Sequence, residues 1–406
     1  MEDILQAGFS KRDITPPAGQ PMGAFPASRR PMQARLAEGV HDPLYGRALA
    51  ISDNKTAVVI CAADVVTFQW VDVDRMRADF AKRTGLSPDS FIISGTHNHN
   101  GPECTYHFGG DPDDRYIAEM RTKIVDAAVD AYNGMQPANV STGIQDADIA
   151  YNRREIRPDD SFVQRNKNLE GDRIGPVDPR VSVLRFDSTD GGSIASVIHF
   201  AAHPVILSTP NLLFTAEYPG ATLRHFETQT GVSESLFLQG ACGDTHPFQA
   251  LSNDYDGVEE MGQSLGEAAA AAWGNASQES DVSVDVERWI EDLPNRYSSE
   301  LKVHIEIPAL RLSNRLALVF WPGEPFIEMS LALQWRSPFA RTVVVGHALG
   351  SCGYVPTLQA YEYGGYGVDR YPVEQDPAEL NRARVMPGTG ERFIDETSVL
   401  LGRLKR

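Results

Sequence analysis

FIISGTHNHNGPE, residues 91–103, opens as an apolar, β-branched run, breaks at Gly95 and then presents two histidines, His97 and His99, separated by one residue. In an extended chain, residues i and i+2 project to the same side, so both rings can face one site. Neutral imidazole is a common zinc ligand, which makes this pair a metal candidate. A turn capped by two histidines has the same sequence, and the segment alone leaves both readings open. It does establish a pattern to look for: a buried strand that ends at a turn residue and hands a polar side chain to the rim.

The pattern recurs. AVVICAAD at 57–64, VSVLRF at 181–186, SIASVIHF at 193–200, SLFLQG at 235–240, LALVF at 316–320 and TVVVG at 342–346 are short, β-rich and bounded by turn residues. They are the expected sheet strands. Between some of them lie helical patterns at Val71–Gly85, Val258–Trp273 and Arg115–Gly134, the last with apolar spacing at Ile117, Met120, Ile124 and Ala128. Strands mixed with helices over this length predict an α/β fold of mixed β-sheet layers with helices. Neither low-complexity sequence nor a repeat of about 20–50 residues is present, so one domain over 1–406 is expected, ending in a helical segment at about 390–405. Arg154–Asp178 and Ser351–Asp376 read as long surface loops.

Composition narrows the function. With 42% hydrophobic and 23% charged residues, the 406-residue chain can bury a full core. Lys plus Arg total 37 against 55 Asp plus Glu, a net charge of −18, which argues against nucleic acid and anionic lipid as partners. No apolar stretch reaches the roughly 18–20 residues of a membrane helix. MEDILQAGFSKRD lacks the basic start and apolar run of a signal peptide, so a cytoplasmic location is expected. Cys61, Cys104, Cys242 and Cys352 form no CxxC pair and read as free thiols.

Four more strand ends carry chemistry. SIASVIHFAAHPVIL (193–207) delivers His203 just before Pro204, which ends the ladder and leaves His203 at the rim, while His199 reads as a core histidine. FLQGACGDTHPF (237–248) presents Asp244, Thr245 and His246 after closely spaced glycines, either as a catalytic elbow or as an ordinary Gly-Asp turn. ALVFWPGEPFIEM (317–329) presents Glu324, a metal ligand or a charge at a helix start. GSCGYVPTLQAYEYGGYGVDRY (350–371) contains Tyr354, Tyr361, Tyr363, Tyr366 and Tyr371, most of which read as packing side chains.

Taken in order, these pieces resemble the neutral/alkaline (non-lysosomal) ceramidase family, zinc-dependent amidases that cleave the N-acyl bond of ceramide. The likeness runs through AGFSKRDITPPAGQPMGAF (7–25), SGTHNHNGPE (94–103), YNRR (151–154), FAAHP (200–204), GACGDTHP (240–247), PGEP (322–325) and YVPT (354–357). SGTHNHNGP is the specific match. The resemblance implies the family's N-terminal catalytic domain, without its C-terminal β-domain, and one zinc ion per chain held by His97, His203, Glu324 and Tyr354. It also implies that His99 and Arg153 bind the scissile carbonyl and stabilise its oxyanion. His246 stands where the family has its catalytic serine, so a serine role is not carried over. His246 could serve as acid or base, bind a substrate anion or join the metal, with the Thr245 hydroxyl as an alternative and Asp244 as a group that orients an imidazole.

The reaction implied is hydrolysis of an amide, ester or lactone bond through a metal-activated water. The polar groups Arg153, Arg154, Asp244 and His246 suggest a small polar substrate rather than a membrane lipid. Two other readings stay open: a metal-dependent lyase or isomerase acting on a sugar-like substrate, and an inactive relative that binds a ligand. The sequence does not give the oligomeric state.

Overall fold

The computed structural model describes residues 5–29, 32–105, 112–369 and 383–406. It is an α/β structure in which one arrangement occurs three times. In the first unit, β1 (Gln6–Asp13), β2 (Tyr45–Ser52) and β3 (Ala57–Ala63) form an antiparallel meander. Helix α1 (Trp70–Thr84) crosses over, β4 (Phe91–Gly95) returns parallel to β3, and α2 (Asp114–Asn133) follows.

The second unit repeats this with β5 (Gln136–Asp146), β6 (Arg180–Ser188), β7 (Ser193–Phe200), α3 (Glu217–Thr230), β8 (Ser235–Gln239) parallel to β7, and α4 (Tyr255–Gly274). The third has β9 (Val282–Pro294), β10 (Lys302–Ser313), β11 (Leu316–Phe320), α5 (Ile327–Arg336), β12 (Arg341–Val345) parallel to β11, and α6 (Thr389–Leu404).

The first two units merge into a nine-stranded sheet of order β8-β7-β6-β5-β1-β2-β3-β4, with the short strand Ser277–Gln278 added on β5. The third unit forms its own four-stranded sheet, β9-β10-β11-β12. Each of the seven expected strand segments is a strand. On α2, the expected stripe of Ile117, Met120, Ile124 and Ala128 is buried, and Asp113 caps the helix by accepting from the Arg115 and Tyr116 amides.

The three crossover-returning strands end together. Ser94 of β4 bridges Ala348, Gly240 after β8 bridges Val345 of β12, and the Gly346 amide donates to the Gln239 carbonyl at 2.9 Å. Only glycine fits at two of these ends: a Cβ on Gly95 would lie 2.8 Å from the Val65 carbonyl oxygen, and one on Gly346 2.9 Å from that of Gly240. Ile93, Leu236, Leu238, Leu318 and Val345 share one core beneath the junction. Arg77 of α1 pairs with Glu306 of β10 through two 2.8 Å contacts, tying the first unit to the third across buried surface.

The stretch expected as one long loop from Arg154 is more ordered than that. Arg154–Ile156 pairs with Phe162–Gln164 in a small hairpin, and Arg154 is buried.

Candidate metal centre

His97 lies two residues beyond β4 with a φ of 63°, a left-handed conformation that costs a non-glycine residue about 1–2 kcal/mol. Its Nδ1 is 2.9 Å from the Val66 carbonyl. A carbonyl only accepts, so the proton sits on Nδ1 and the Nε2 lone pair points inward. His203, three residues beyond β7, is held the same way by the Cys242 carbonyl. Both Nε2 atoms face the Glu324 Oε2, at 3.5 Å from His97 and 3.2 Å from His203. The His99 Nε2 approaches the His97 Nε2 to 3.1 Å, and one ligand atom from each of the three histidines lies within 4.8 Å of the others.

Glu324 and Tyr354 are brought level by a two-residue parallel ladder, Glu324–Pro325 against Tyr354–Val355. Burial, with the Glu324 carboxylate beside it, pushes the Tyr354 phenol up, and the Arg153 guanidinium lies against its ring, 5.6 Å from the centroid. His97, His203 and Glu324, three of the four side chains expected to hold a metal, therefore converge, the backbone ladder sets Tyr354 beside Glu324, and His99 adjoins His97.

Protonation favours a cation there. Burial pushes His203 down to about 4 and His99 well below the ordinary imidazole value, so both rings are neutral. Burial opposes ionisation of Glu324, but a proton on the Nε2 of His97 or His203 facing it holds its carboxyl well below the usual range, and a bound cation would take that proton's place. Converging imidazole lone pairs with an ionised carboxylate fit a divalent cation bound through nitrogen and oxygen.

Arg153 borders the cluster. The antiparallel pairing of Thr245–Pro247 with Ala150–Asn152 sets His246 opposite Tyr151, and the Arg153 amide donates to the Asp244 carbonyl at 2.8 Å. The Arg153 guanidinium donates to the His246 Nε2 at 3.0 Å and to the Gly243 carbonyl, beneath the rings of Tyr354 and Tyr366.

Asp244 faces elsewhere. Its carboxylate accepts from the Asn152 amide group and from the Ile327 backbone amide, both at 2.8 Å, anchoring the start of α5. The Thr245 hydroxyl donates to the Ala201 carbonyl at 3.0 Å. Arg154 donates to the Ala360 and Gly364 carbonyls and packs over Phe162. His199 is a core histidine bonded to the Val344 carbonyl, and the Tyr361 hydroxyl donates to the Val385 carbonyl. Tyr371 lies outside the described residues.

Two residues of the site escaped the sequence reading. His347, one residue past Gly346, stacks on His97. Its signal was present, since VVVGH repeats the strand-glycine-histidine order of IISGTH. Arg35, 1% exposed, has no carboxylate partner among the described residues and donates to six oxygens, among them the carbonyls of Gly23, His99 and Asn211. Burial pushes it down to about 10. A lone arginine between polar segments gives no sequence signal.

Comparison with known proteins gives the family and the fold. The family description "Neutral/alkaline non-lysosomal ceramidase, N-terminal" matches residues 5–292. The chain is 24% identical to neutral ceramidase B of Dictyostelium discoideum over 239 residues, covering 52% of this chain and 32% of that protein. It is 23% identical to the neutral ceramidase of Pseudomonas aeruginosa over 278 residues, 63% of this chain and 40% of that one. The matched regions thus span about a third to two-fifths of those relatives. The crystal structure of the Pseudomonas aeruginosa neutral ceramidase superposes with a TM-score of 0.77 at 17% identity, covering 99% of this chain and 75% of that one, which shows a shared fold. A second solved structure, "Ceramidase complexed with C2", gives 0.75 at 16% identity. With the family match extending over most of its length, this chain belongs to the neutral/alkaline non-lysosomal ceramidase family.

Proposed function

We propose that the chain is a metal-dependent hydrolase of a carboxylic amide other than a peptide bond, acting on a small polar substrate. One observation carries the reading: the Nε2 atoms of His97 and His203 and the Oε2 of Glu324 converge with their protons fixed outward or removed. A zinc ion held by His97, His203, Glu324 and Tyr354 would act as a Lewis acid and bring the pKa of a water from about 15.7 to roughly 7.

The chain's own side chains supply the rest. Arg153 and His99 flank the cluster and bind the carbonyl oxygen of the substrate, donating to it as charge builds there. His246 holds Arg153 in that pose through its Nε2, and the backbone ladder with Glu324 sets the place of Tyr354. The oxygen of water joins the carbonyl carbon, the C–N bond breaks, and the nitrogen leaves as an amine carrying a proton from the water. Asp244 and Arg154 are engaged inside the fold, so Arg153, His99 and His246 are the polar groups left to meet a substrate.

The ceramidases named among the relatives suggest an N-acyl amide, and no helix among the described residues is long and apolar enough to cross a membrane. A single domain over 1–406 and a cytoplasmic location belong to the same proposal. Metal analysis of the native chain, His97→Ala and His203→Ala should find zinc bound in the native protein and lost in both variants. Amide hydrolysis in oxygen-18 water should then label the carboxylate product. Product without label would move the reading to a lyase or isomerase, and faster cleavage of long-chain ceramides than of soluble amides would reject the small polar substrate.

A further inference from the structure

We infer that His347, together with Cys242, is a positioning residue that braces the two imidazoles of the metal centre, an inference that rests on the metal-binding role proposed above. The His347 ring lies nearly flat against His97, with centroids 3.8 Å apart and planes at 21°. Its Nε2 is 3.2 Å from the Cys242 Sγ. The carbonyl of that same cysteine accepts the Nδ1 proton of His203. Cys242 therefore holds His203 through its backbone and His347 through its side chain, and His347 presses on His97. The two braced rings, His97 and His203, meet edge to face with centroids 4.7 Å apart and planes at 74°.

The backbone of His347 repeats the connection. Its amide donates to the Gly323 carbonyl at 3.0 Å, one residue before Glu324, and its carbonyl accepts from the Gly95 amide at 3.2 Å, two residues before His97. His347 takes a left-handed φ of 54°, an unusual conformation for a residue with a Cβ, and one that surrounding contacts must hold in place. One residue thus touches the segments that carry His97 and Glu324, and reaches the third, which carries His203, through Cys242. None of its contacts requires it to ligate. With the flat face removed, the His97 ring can turn about its Cβ–Cγ bond, and its Nε2 no longer points at a fixed place. Groups that orient a ligating histidine change metal affinity by about 10- to 100-fold.

The test is zinc affinity of the full-length metal-free protein, by competition with a chromophoric chelator, with the visible spectrum of the cobalt-substituted protein as a report on ligand geometry. His347→Ala and His347→Leu are expected to bind zinc about 10- to 100-fold more weakly, with an altered cobalt spectrum. His347→Phe, which keeps a flat ring against His97, is expected to stay within about threefold of native, because the stacked face remains. Native affinity and spectrum in the leucine variant overturn the inference, and so does a phenylalanine variant as weak as the leucine one. If the alanine variant does not fold, the leucine and phenylalanine pair decides alone. A native protein that binds no zinc at all overturns the metal-centre reading itself, before any variant is compared.

Discussion

The Arg153 Nη1 lies 3.0 Å from the His246 Nε2, and because a guanidinium can only donate, the imidazole is the acceptor. The His246 proton is therefore on Nδ1, 3.4 Å from the Asn166 carbonyl, and burial together with Arg153 keeps the ring neutral. Where the family resemblance places a serine, this chain has a residue that aims a cation. Arg153→Ala should lower kcat by about 100- to 1,000-fold, the usual loss for one oxyanion donor, with metal content unchanged. His246→Gln retains an acceptor and should lose less than His246→Ala in steady-state kinetics. Equal losses would mean that His246 acts on the substrate directly.

His99 and His97 face each other at 3.1 Å, yet only His97 has its Nδ1 tied to a carbonyl, while the His99 Nδ1 is buried without a partner among the described residues. An untethered ring suits a group that answers to substrate. His99→Ala should keep its metal and lose kcat, whereas His97→Ala should lose the metal. Elemental analysis of the two variants checks this, and metal loss in both would make His99 a ligand.

Acid should destabilise the metal-free protein. His203 falls from about 6.5 unfolded to about 4 folded, so the unfolded chain binds more protons between those values. Its contribution is complete above about pH 6.5 and disappears as the pH falls through 4, on the order of 3 kcal/mol in all. The depressed Glu324 acts in the same direction at lower pH. Denaturant midpoints of chelated protein should therefore drop from pH 7 to pH 4, and a flat profile would contradict the neutral, buried assignment.

Glu328 has the opposite sign. Burial and the neighbouring Asp244 raise it to about 9, so it is protonated in the fold and ionised when unfolded near neutrality. Its contribution, complete below the unfolded value near 4.5, is lost as the pH rises towards 9. Glu328→Gln stays neutral throughout and should gain thermal stability over the native protein as the pH rises from 6 to 9, measured as the difference in Tm. A constant difference across that range would show that no proton is held there.

Arg35 collects oxygens from three stretches: Gly23 and Phe25, His99 and Asn100, and Ser208 and Asn211. Phe25 packs on the His99 ring, with centroids 5.0 Å apart. Arg35→Ala would leave several buried acceptors bare at about 1–3 kcal/mol each, so a loss above about 3 kcal/mol is expected in chemical unfolding. A loss below about 1 kcal/mol would mean that water replaces the guanidinium.

Legibility in the sequence followed the physics of each segment. β3, β4, β8 and β12 are buried on both faces and read as continuous apolar runs, so they were plain. β1 (QAGFSKRD) and β9 (VSVDVERWIEDLP) alternate polar and apolar residues beside charges, and β9 carries exposed Ile290, so their signal is weak. Helix α3 begins EYPGAT, with proline and glycine in its first turns, residues that argue against a helix until tertiary packing holds it. At the site, His97, His203 and Glu324 stand at strand ends and read as candidates from the residues, whereas Tyr354 entered the set only through the family resemblance. Asp244 read as a group that orients an imidazole because a sequence shows a carboxylate but not the Asn152 and Ile327 donors that engage it. The threefold arrangement stayed hidden because its units share strand order and not residues.

On the ligand set proposed above, that arrangement makes occupancy of the metal centre a report on all three units. His97 follows β4 in the first unit, His203 follows β7 in the second, and Glu324 and Tyr354 follow β11 and β12 in the third. A fragment holding one or two units carries an incomplete coordination sphere, so tight binding should appear only when the last unit docks. During synthesis the ion can be captured only after the C-terminal third has emerged and paired. Metal uptake is then a late event in maturation, and a nascent chain stalled before Tyr354 should remain empty however much zinc surrounds it.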